Sequence, residues 1–348
     1  RAQAQPRKAR DGRPWGEDSR GDTLASMKRI RRTEANRTLF DPRVSPAFSV
    51  KPGESFVIET EDALSGRLRD ESTLPIPENL FSPGTTPPLS NPMGGPIYLE
   101  GAGKGDLVAV NIERIEVDAQ GVTAIFPGAG PLCDSIRWQA LSRPFTKIIR
   151  HLPGPSGTTR DGTAILREGV SWPLAPFIGC MGVCPEVEIE TSSMGQGPWG
   201  GNLDVRAFRE GSRVFLNAYH PGGLFYAGDV HAGQGDTEFT GTADETRAEL
   251  QLSLEIVKNR RCAFVRIERP DVLISVAAAR PLEDAVRSAI VDLMDWIVSD
   301  YGIDPREAYM HASVNPDFRV RIYQMAPLGR LRYTAGAEIP KRHVAKKS

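Results

Sequence analysis

Short runs that alternate apolar and polar residues dominate the chain, and they predict a protein made mainly of β-strands. Residues 48–63 read as a strand, a Pro-Gly turn and a second strand. Residues 91–117 repeat this pattern, with two alternating segments around a turn at residues 103–105. Further strands are predicted at residues 213–219, 249–257 and 318–324. These elements favour a β-sandwich or barrel over a nucleotide-binding α/β sheet.

One amphipathic helix is predicted near the C-terminal end, in the segment PLEDAVRSAIVDLMDWIVSDYG. Its apolar residues recur at three- and four-residue spacing, at positions Val286, Ile290, Leu293, Ile297 and Tyr301. Gly302 is expected to end the helix. We therefore predict a mainly β (α+β) fold with a C-terminal α/β portion that carries this long helix, to which we assign no chemistry.

Changes in composition divide the chain into four parts. Residues 1–37 form a basic, Pro-rich arm that has too few apolar residues for a core of its own. We expect this extended arm to lie across another subunit of a homo-oligomer. Residues 38–270 form the β-rich domain with the candidate catalytic residues, 271–340 the C-terminal α/β portion, and 341–348 a basic tail. Within the large domain, residues 124–203 are rich in Gly and Pro and are expected to be functional loops.

The overall charge excludes several classes of partner. The 348 residues carry a formal net charge of −1, with an isoelectric point near 6.6, so neither nucleic acid nor an anionic membrane is an expected partner. No stretch approaches the roughly 18 apolar residues needed to span a bilayer. We expect a soluble cytoplasmic protein, with the periplasm as the alternative because AQA at residues 2–4 resembles a signal-peptidase remnant.

The four cysteines show no metal-binding spacing. Cys180 and Cys184 flank MGV in an apolar, Gly-rich stretch, and Cys133 and Cys262 are isolated. CxxC pairs of the kind found in zinc ribbons do not occur. We interpret all four as buried free thiols, which fits a reducing compartment.

The segment GDVHAGQGDTEFTGTADE, residues 228–245, holds the densest candidate chemistry. Its polar centre predicts a turn, VH before it a strand, and TEFTGTA after it a second strand. Side chains two apart on a strand share a face, which places Asp229 beside His231. A hairpin with these faces apposed would gather carboxylates and an imidazole, as a divalent metal or a general base requires. The alternative is a surface β-turn.

Three further positions are weaker candidates. In GGNLDVR, residues 200–206, Asn202 suits an oxyanion donor and Asp204 a metal ligand or base, although an Asx turn explains both. Glu100 ends a predicted strand beside a glycine, where a carboxylate can face a pocket. His220 lies eleven residues before His231 and is close enough to reach the same site. The chain has no GxSxG elbow, Walker loop or dinucleotide fingerprint.

Several motifs together resemble the acetamidase/formamidase family. They are GPIYLEGAGKGDLVAVNIERIE, PGAGPL, PFIGCMGVCPE, GGNLDVR, PGGLFYAGDVHAGQGDTEFTGTADET and EAYMHASVNPDFRVRIYQ. They occur in the family's order over roughly residues 45–340. The resemblance implies hydrolysis of a small carboxamide to ammonia and the acid, an acetamidase/formamidase-type fold and oligomeric assembly. One departure is Thr237, where the family usually has glycine before the motif's glutamate.

The resemblance also suggests roles for individual residues. Asp204, His231 and Glu100 are the expected ligands of Zn²⁺ or another divalent metal, with Asp229 and Glu238 as alternatives to Glu100. Such an ion would lower the pKa of its bound water. A metal-free acid/base pair fits the sequence nearly as well.

The remaining assignments concern catalysis and substrate contact. Glu238 is the expected general base, Asn202 an oxyanion donor and Asp229 a further catalytic carboxylate. Residues expected to contact the substrate are Gln234, Trp199 and His220. Two other functions stay open: hydrolysis of a larger or cyclic amide such as a lactam or imide, and an inactive member of the family that serves as a binding or scaffold protein.

Overall fold

Strands far outnumber helices in the computed structural model, which describes residues 27–80 and 90–344. In the first half they are β1 Arg29–Ile30, β2 Leu39–Phe40, β3 Phe48–Val50, β4 Ser55–Thr60, β5 Met93–Leu99, β6 Leu107–Ile125, β7 Phe145–Leu152, β8 Thr163–Arg167 and β9 Val170–Pro173. In the second half they are β10 Phe177–Val183, β11 Glu190–Thr191, β12 Gln196–Gly197, β13 Gly200–Asn202, β14 Arg213–Asn217, β15 Phe225–His231, β16 Glu245–Val257, β17 Val265–Glu268, β18 Val272–Ala279, β19 Arg319–Gln324 and β20 Tyr333–Pro340. The described helices are α1 Pro77–Leu80, α2 Leu282–Tyr301 and α3 Pro305–Val314.

A single large curled sheet contains eighteen of the described strands. Strands β2 and β11 form a separate antiparallel pair. Most neighbours in the large sheet are antiparallel, whereas β1 with β4 and β3 with β5 are parallel. The mainly β class predicted from the alternating pattern is confirmed.

The long strands β6 and β16 form the centre of the sheet. They pair antiparallel from Glu245 opposite Val122 to Val257 opposite Leu107, and β4 pairs along the other edge of β16. Their inward positions hold β-branched and leucine side chains, which pack well on a pleated surface. Fully buried examples are Val108, Val110, Leu250, Leu252 and Leu254. This core supports the strands that carry the candidate site.

Helix α2 packs against β18 and β20 through the face predicted from its spacing. Leu293, Trp296 and Ile297 are buried there. Gly302 adopts a left-handed conformation with a φ of 69°, and its N–H donates to the carbonyl of Val298, which ends the helix. Asp292 is also buried on this face, where its carboxylate accepts hydrogen bonds from Arg266. The predicted helix is therefore confirmed.

Two predictions about secondary structure were incomplete. Residues 124–203, expected to be loops, contain the short strands β7 to β13. Helix α3 was also not predicted. It begins after Asp304, and the carboxylate of Asp304 accepts hydrogen bonds from the N–H groups of Arg306 and Glu307. Only Ala308 and Ala312 of this helix are buried, so its apolar periodicity is weak.

The chain ends depart in part from the expected arm and tail. Residues 1–26 lie outside the described residues, so exchange of the arm between subunits stays a prediction. Residues 29–30 join the sheet of this same chain, because β1 pairs with β4 and Ile30 is buried in the core. A 3₁₀ turn, Lys341–His343, opens the basic tail, and residues 345–348 also lie outside the described residues.

All four cysteines are unpaired, as expected. Cys180, Cys184 and Cys262 are buried and Cys133 is half-buried. Burial raises the pKa of both Cys184 and Cys262 to about 12, so these thiols stay protonated. They therefore act as small core residues.

Within residues 27–80 and 90–344, no helix combines the length and apolar character that crossing a membrane requires.

Candidate active site

Four carboxylates surround a single imidazole where three segments of the sheet meet. Asp229 and His231 lie on β15, and Glu245 is the first residue of β16. Asp204 follows β13, and Glu238 belongs to the 3₁₀ turn Asp236–Glu238 between β15 and β16. The side chain of His231 is 1% exposed, and Glu238, the most exposed member, reaches only 9%. The structure thus brings together five residues that lie up to 41 positions apart.

The hairpin expected around residues 228–245 exists, but its second strand begins later than predicted. Strands β15 and β16 pair with His231 opposite Glu245. The segment TEFTGTA forms no strand, because Thr237, Glu238 and Gly241 have positive φ values of 77°, 43° and 83°. Backbone in this left-handed region cannot continue a strand. Because the second strand begins later than predicted, Glu245 lies opposite the imidazole, and no residue of TEFTGTA does.

Hydrogen bonds fix the orientation of the His231 ring. The side-chain amide of Gln234 donates to the carbonyls of Asp204 at 3.2 Å and Tyr323 at 2.8 Å. Its Oε1 must then accept from Nδ1 of His231, 3.0 Å away, so Nδ1 carries a proton. The other ring nitrogen, Nε2, lies 3.3 Å from Oδ1 of Asp229 and 3.2 Å from Oε2 of Glu245. Nε2 is therefore the atom directed at the carboxylates.

Glycine at position 179 allows the ring to approach β10. A Cβ atom there would lie 2.8 Å from Nε2 of His231 and 2.8 Å from the carbonyl oxygen of Asp229. Both contacts are too short for any side chain. On the other side, Phe177 meets the ring edge-on, with centroids 4.9 Å apart. The Gly-rich segment FIGCMGV, noted in the sequence, is thus part of the wall that holds the imidazole.

Burial and like charge change the protonation of the cluster. Burial raises the pKa of Asp204 to about 8 and that of Glu245 to about 7. The pKa of Glu238 is raised well above its usual range, first by burial and then by the neighbouring Asp204. Burial alone would lower the pKa of His231, but the Glu245 and Asp229 carboxylates raise it well above the ordinary value. Neighbouring acids with such raised pKa values are typical of functional sites.

The cluster has the donor set of a divalent-metal site. One ligand atom each from Asp204, Asp229 and His231 lie within 4.8 Å of one another, and the same holds for His231, Glu238 and Glu245. Oδ2 of Asp204 is buried without a hydrogen-bond partner, and Oε2 of Glu245 has only Nε2 of His231 at 3.2 Å. Leaving a buried carboxylate oxygen unpaired is costly, and a cation would satisfy Asp204. Imidazole and carboxylate ligands suit Zn²⁺ and similar ions, so these residues fit the metal that the sequence suggests.

Asparagine side chains anchor the outer edge of the cluster. Nδ2 of Asn91 donates to Oδ2 of Asp229 at 2.6 Å and approaches Oδ1 of Asn202 at 3.3 Å. Nδ2 of Asn202 in turn donates to the carbonyl of Ser193 at 3.0 Å. Asn202 lines the cavity described below, but this hydrogen bond already engages its amide nitrogen. Its expected role as an oxyanion donor stays a prediction.

Left-handed backbone recurs at the residues that carry the cluster. The φ values are 55° at Asn91, 52° at Asp204, 56° at Asp229 and 43° at Glu238. Asn and Asp tolerate this region better than other residues with side chains. Such conformations raise the energy of the folded chain and concentrate at functional sites.

Replacing Thr237 by glycine is expected to stabilise the protein. Thr237 is β-branched and has a φ of 77°, a conformation that glycine adopts without a steric penalty. We expect Thr237→Gly to raise the free energy of unfolding by about 1 kcal/mol, measured by urea denaturation. Thr240→Gly, in the same loop but at a position without positive φ, is the control, and it should not raise the free energy of unfolding. Equal or lower stability of Thr237→Gly would contradict the strain argument.

A cavity of about 540 Å³ is lined by all five members of the cluster. Its lining also includes three side-chain amides, from Asn91, Asn202 and Gln324, and four hydroxyl-bearing residues, Ser90, Thr191, Ser193 and Thr242. Gln324 is 1% exposed, and neither its Oε1 nor its Nε2 has a hydrogen-bond partner. The apolar part of the lining includes Leu64, Ile76, Phe126, Met194, Leu328 and Leu331. The cavity thus joins a charged floor to apolar walls.

Glu100 lies far from this site, which corrects its expected role as a metal ligand. Gly228, next to Asp229, pairs with Met93 at the start of β5, whereas Glu100 follows the other end of that strand. Seven residues at about 3.3 Å each separate the two ends by roughly 23 Å. Glu100 is exposed and does not line the cavity.

The three residues expected to contact substrate also lie elsewhere. Trp199 is buried in the core, edge-on to Phe40 with centroids 4.7 Å apart. His220 precedes β15 at the end away from the cluster, and its Nε2 lies 2.7 Å from the carbonyl oxygen of Pro185. Gln234 orients His231 instead of lining the cavity. The structure therefore corrects all three assignments.

Three residues of the site were not predicted from the sequence. Glu245 belongs to the acidic string but had no role, because the second strand was placed too early. Asn91 lies at the edge of a Pro-, Ser- and Gly-rich loop, where nothing in the sequence marks it. Gln324 ends the predicted strand 318–324, and a polar residue at a strand end was the available signal.

A buried imidazole among acids, lining a cavity on a β-rich scaffold, is an arrangement typical of functional sites. The chain belongs to the Acetamidase/Formamidase family, whose model matches residues 22–197 and 193–281. The family suggested by the sequence motifs is therefore confirmed.

Individual relatives give the same picture. The chain is 27% identical to the acetamidase of Mycolicibacterium smegmatis, over 62% of this chain and 64% of that protein. It is 24% identical to a putative formamidase of Schizosaccharomyces pombe, over 63% of each chain. The match thus spans less than two thirds of the length of either relative. The crystal structure of an acetamidase from Yersinia enterocolitica superposes with a TM-score of 0.79 at 30% identity, covering 92% of this chain and 93% of that one.

Proposed function

We propose that this protein is an amidase, which hydrolyses the C–N bond of a carboxamide to give ammonia and a carboxylate. The observation that carries the proposal is the buried cluster of His231 and four carboxylates on the floor of the cavity. The names of the relatives, acetamidase and putative formamidase, support the same reaction.

Asp204, Asp229 and His231 would hold a divalent metal ion such as Zn²⁺. The argument for them is their donor set and burial, together with the unpartnered Oδ2 of Asp204. When bound, such an ion supplies Lewis acidity, which lowers the pKa of water and polarises a carbonyl group. Gln234 contributes by keeping the proton on Nδ1, so that Nε2 is the nitrogen that would give up its proton and bind the ion.

Glu238 would move the protons of the reaction. Its carboxylate accepts a proton from the attacking water and then donates one to the amide nitrogen as the C–N bond breaks. Each turnover thus consumes one water and releases one ammonia and one carboxylic acid, which exchange a proton in solution to give ammonium and carboxylate. The raised pKa of Glu238 suits a group that must both accept and donate a proton.

Gln324 would bind the substrate's amide group. Its side chain has both a donor and an acceptor without partners, and it lines the same cavity as the cluster. A primary carboxamide offers the complementary acceptor and donor. Binding of substrate would therefore satisfy an amide that is otherwise buried unpaired, which is the kind of contact that gives strong discrimination.

Ammonia release from linear primary amides tests the proposal. Purified full-length protein, supplied with Zn²⁺, Co²⁺ or Mn²⁺ in separate reactions, is expected to release ammonia and the matching acid in equal amounts. Both products are quantified over a panel from formamide to benzamide, with Glu238→Gln as the control for contaminating amidases. Folded protein that releases ammonia from no member of the panel would overturn the function.

A further inference from the structure

The walls of the cavity are mainly apolar, and their apolar residues come from separate parts of the chain. Leu64 and Ile76 come from the segment after β4, and Phe126 from the end of β6. Met194, Leu328 and Leu331 come from the loops before β12 and β20. Ile76, Phe126, Met194 and Leu328 are only half-buried. Apolar side chains left facing a cavity are available to a ligand, because the protein's own core does not cover them.

The volume of the cavity exceeds what a very small amide needs. Acetamide is roughly two to three times the size of a water molecule, whose share of the liquid is about 30 Å³. It would therefore fill only about a seventh of the 540 Å³ cavity. A molecule of that size could contact the floor or the walls, but not both.

The walls also lack an uncompensated charge. Among the described lining residues, the one charged group outside the floor cluster is Arg330, and its guanidinium is paired with the Glu190 carboxylate. A charged acyl group would have no counter-ion there, and its desolvation would be unfavourable. The lining therefore selects for an acyl group without charge.

We propose that the site takes primary carboxamides with an apolar acyl group of about six to ten carbon atoms, the size class that a cavity of this volume accommodates. The inference rests on the amidase function proposed above and specifies its substrate. The amide group meets Gln324 and the cluster, and the hydrocarbon lies against Leu328, Phe126 and their neighbours. Each added methylene is then removed from water on binding.

A homologous series of amides tests this inference. The kcat/KM for ammonia release is measured with the wild-type protein on acetamide, butyramide, hexanamide and octanamide. Because each buried methylene is worth about fourfold, hexanamide should exceed acetamide by about a hundredfold or more. Phenylacetamide, whose acyl group is also large and apolar, should likewise have a higher kcat/KM than acetamide.

A matched pair of variants assigns the preference to the walls. Leu328→Asn puts a polar group in the wall and should lower the hexanamide-to-acetamide ratio of kcat/KM by about tenfold. Leu132→Asn makes the same change at a residue that is 44% exposed and does not line the cavity, so the ratio should stay unchanged.

The possible results separate the two proposals. A kcat/KM that is flat or falls from acetamide to hexanamide would overturn the acyl preference and leave the amidase function intact. Equal ratios in both variants would also overturn it. Failure to release ammonia from any amide would remove the amidase function itself, and this inference with it.

Discussion

Glu238→Gln is expected to lower kcat for amide hydrolysis by about 10²–10⁴, the range typical of losing a general acid–base group. Glutamine has nearly the size of glutamate but cannot accept or return a proton at neutral pH. The same change removes one of four carboxylates packed around His231. Because the pKa of Glu238 is raised by burial and by Asp204, the wild-type group is a source of repulsion in the fold. The thermal midpoint of the variant should therefore equal or exceed that of the wild type.

Asp236→Asn is the matched control for Glu238→Gln. Asp236 lies two residues away in the same turn, but it is exposed and forms an ion pair with Arg206. Surface pairs of this kind contribute little, so kcat should stay within about twofold of the wild type. Ammonia release and differential scanning fluorimetry measure both variants. Full activity of Glu238→Gln would exclude this residue as the proton carrier.

Asp229→Asn is expected to lose bound metal and activity together. Asparagine keeps the size of the side chain and tolerates the φ of 56° at this position, so the backbone should be preserved. Its amide is a much poorer ligand than a carboxylate. Metal content, measured by inductively coupled plasma mass spectrometry, should fall from about one ion per chain to below about a tenth, with at least about a hundredfold loss of kcat/KM.

Glu100→Gln is the matched control for that experiment. It also removes one carboxylate, but from a residue that is exposed and separated from the cluster by the length of β5. Metal content and kcat/KM should both match the wild type. Chelation should inactivate the wild-type protein, and readdition of the ion should restore it. Full activity in chelated, metal-free wild-type protein would leave a metal-free acid/base pair as the mechanism.

The alternating pattern predicted the fold well where strands have one buried face. Strands β3 to β6 and the helix α2 lie close to the expected positions, because the spacing of their apolar residues fits only one type of secondary structure. Strands β10, β12 and β13 did not. β10 is buried along its whole length and so lacks alternation, whereas β12 and β13 have only two and three residues and are mostly glycine. Their pairing depends on close backbone approach, as Gly179 and Gly182 illustrate. Local periodicity carries no signal of such contacts.

The site could be predicted only as far as neighbouring residues define it. Asp229 and His231 share a strand face, and the family motif added Asp204 and Glu238. Glu100 was assigned wrongly because a strand end near a glycine says nothing about which end of the strand meets the site. Glu245 was overlooked because β16 begins later than predicted. The left-handed backbone at Thr237 and Glu238 prevents a strand from starting there.

The left-handed backbone at Asn91, Asp204 and Asp229 also restricts how this site can evolve. At these positions Asn, Asp and Gly adopt the required conformation most readily, whereas longer acids and β-branched residues, as at Glu238 and Thr237, adopt it at a higher energetic cost. Exchange of Asp for Glu, usually regarded as conservative, would here disturb the main chain before it altered the chemistry. Few residue types therefore suit these positions in the floor of the cavity, whereas the apolar walls carry no such backbone restriction. If the proposed function holds, new substrate ranges can arise in the walls without any change to the charged floor.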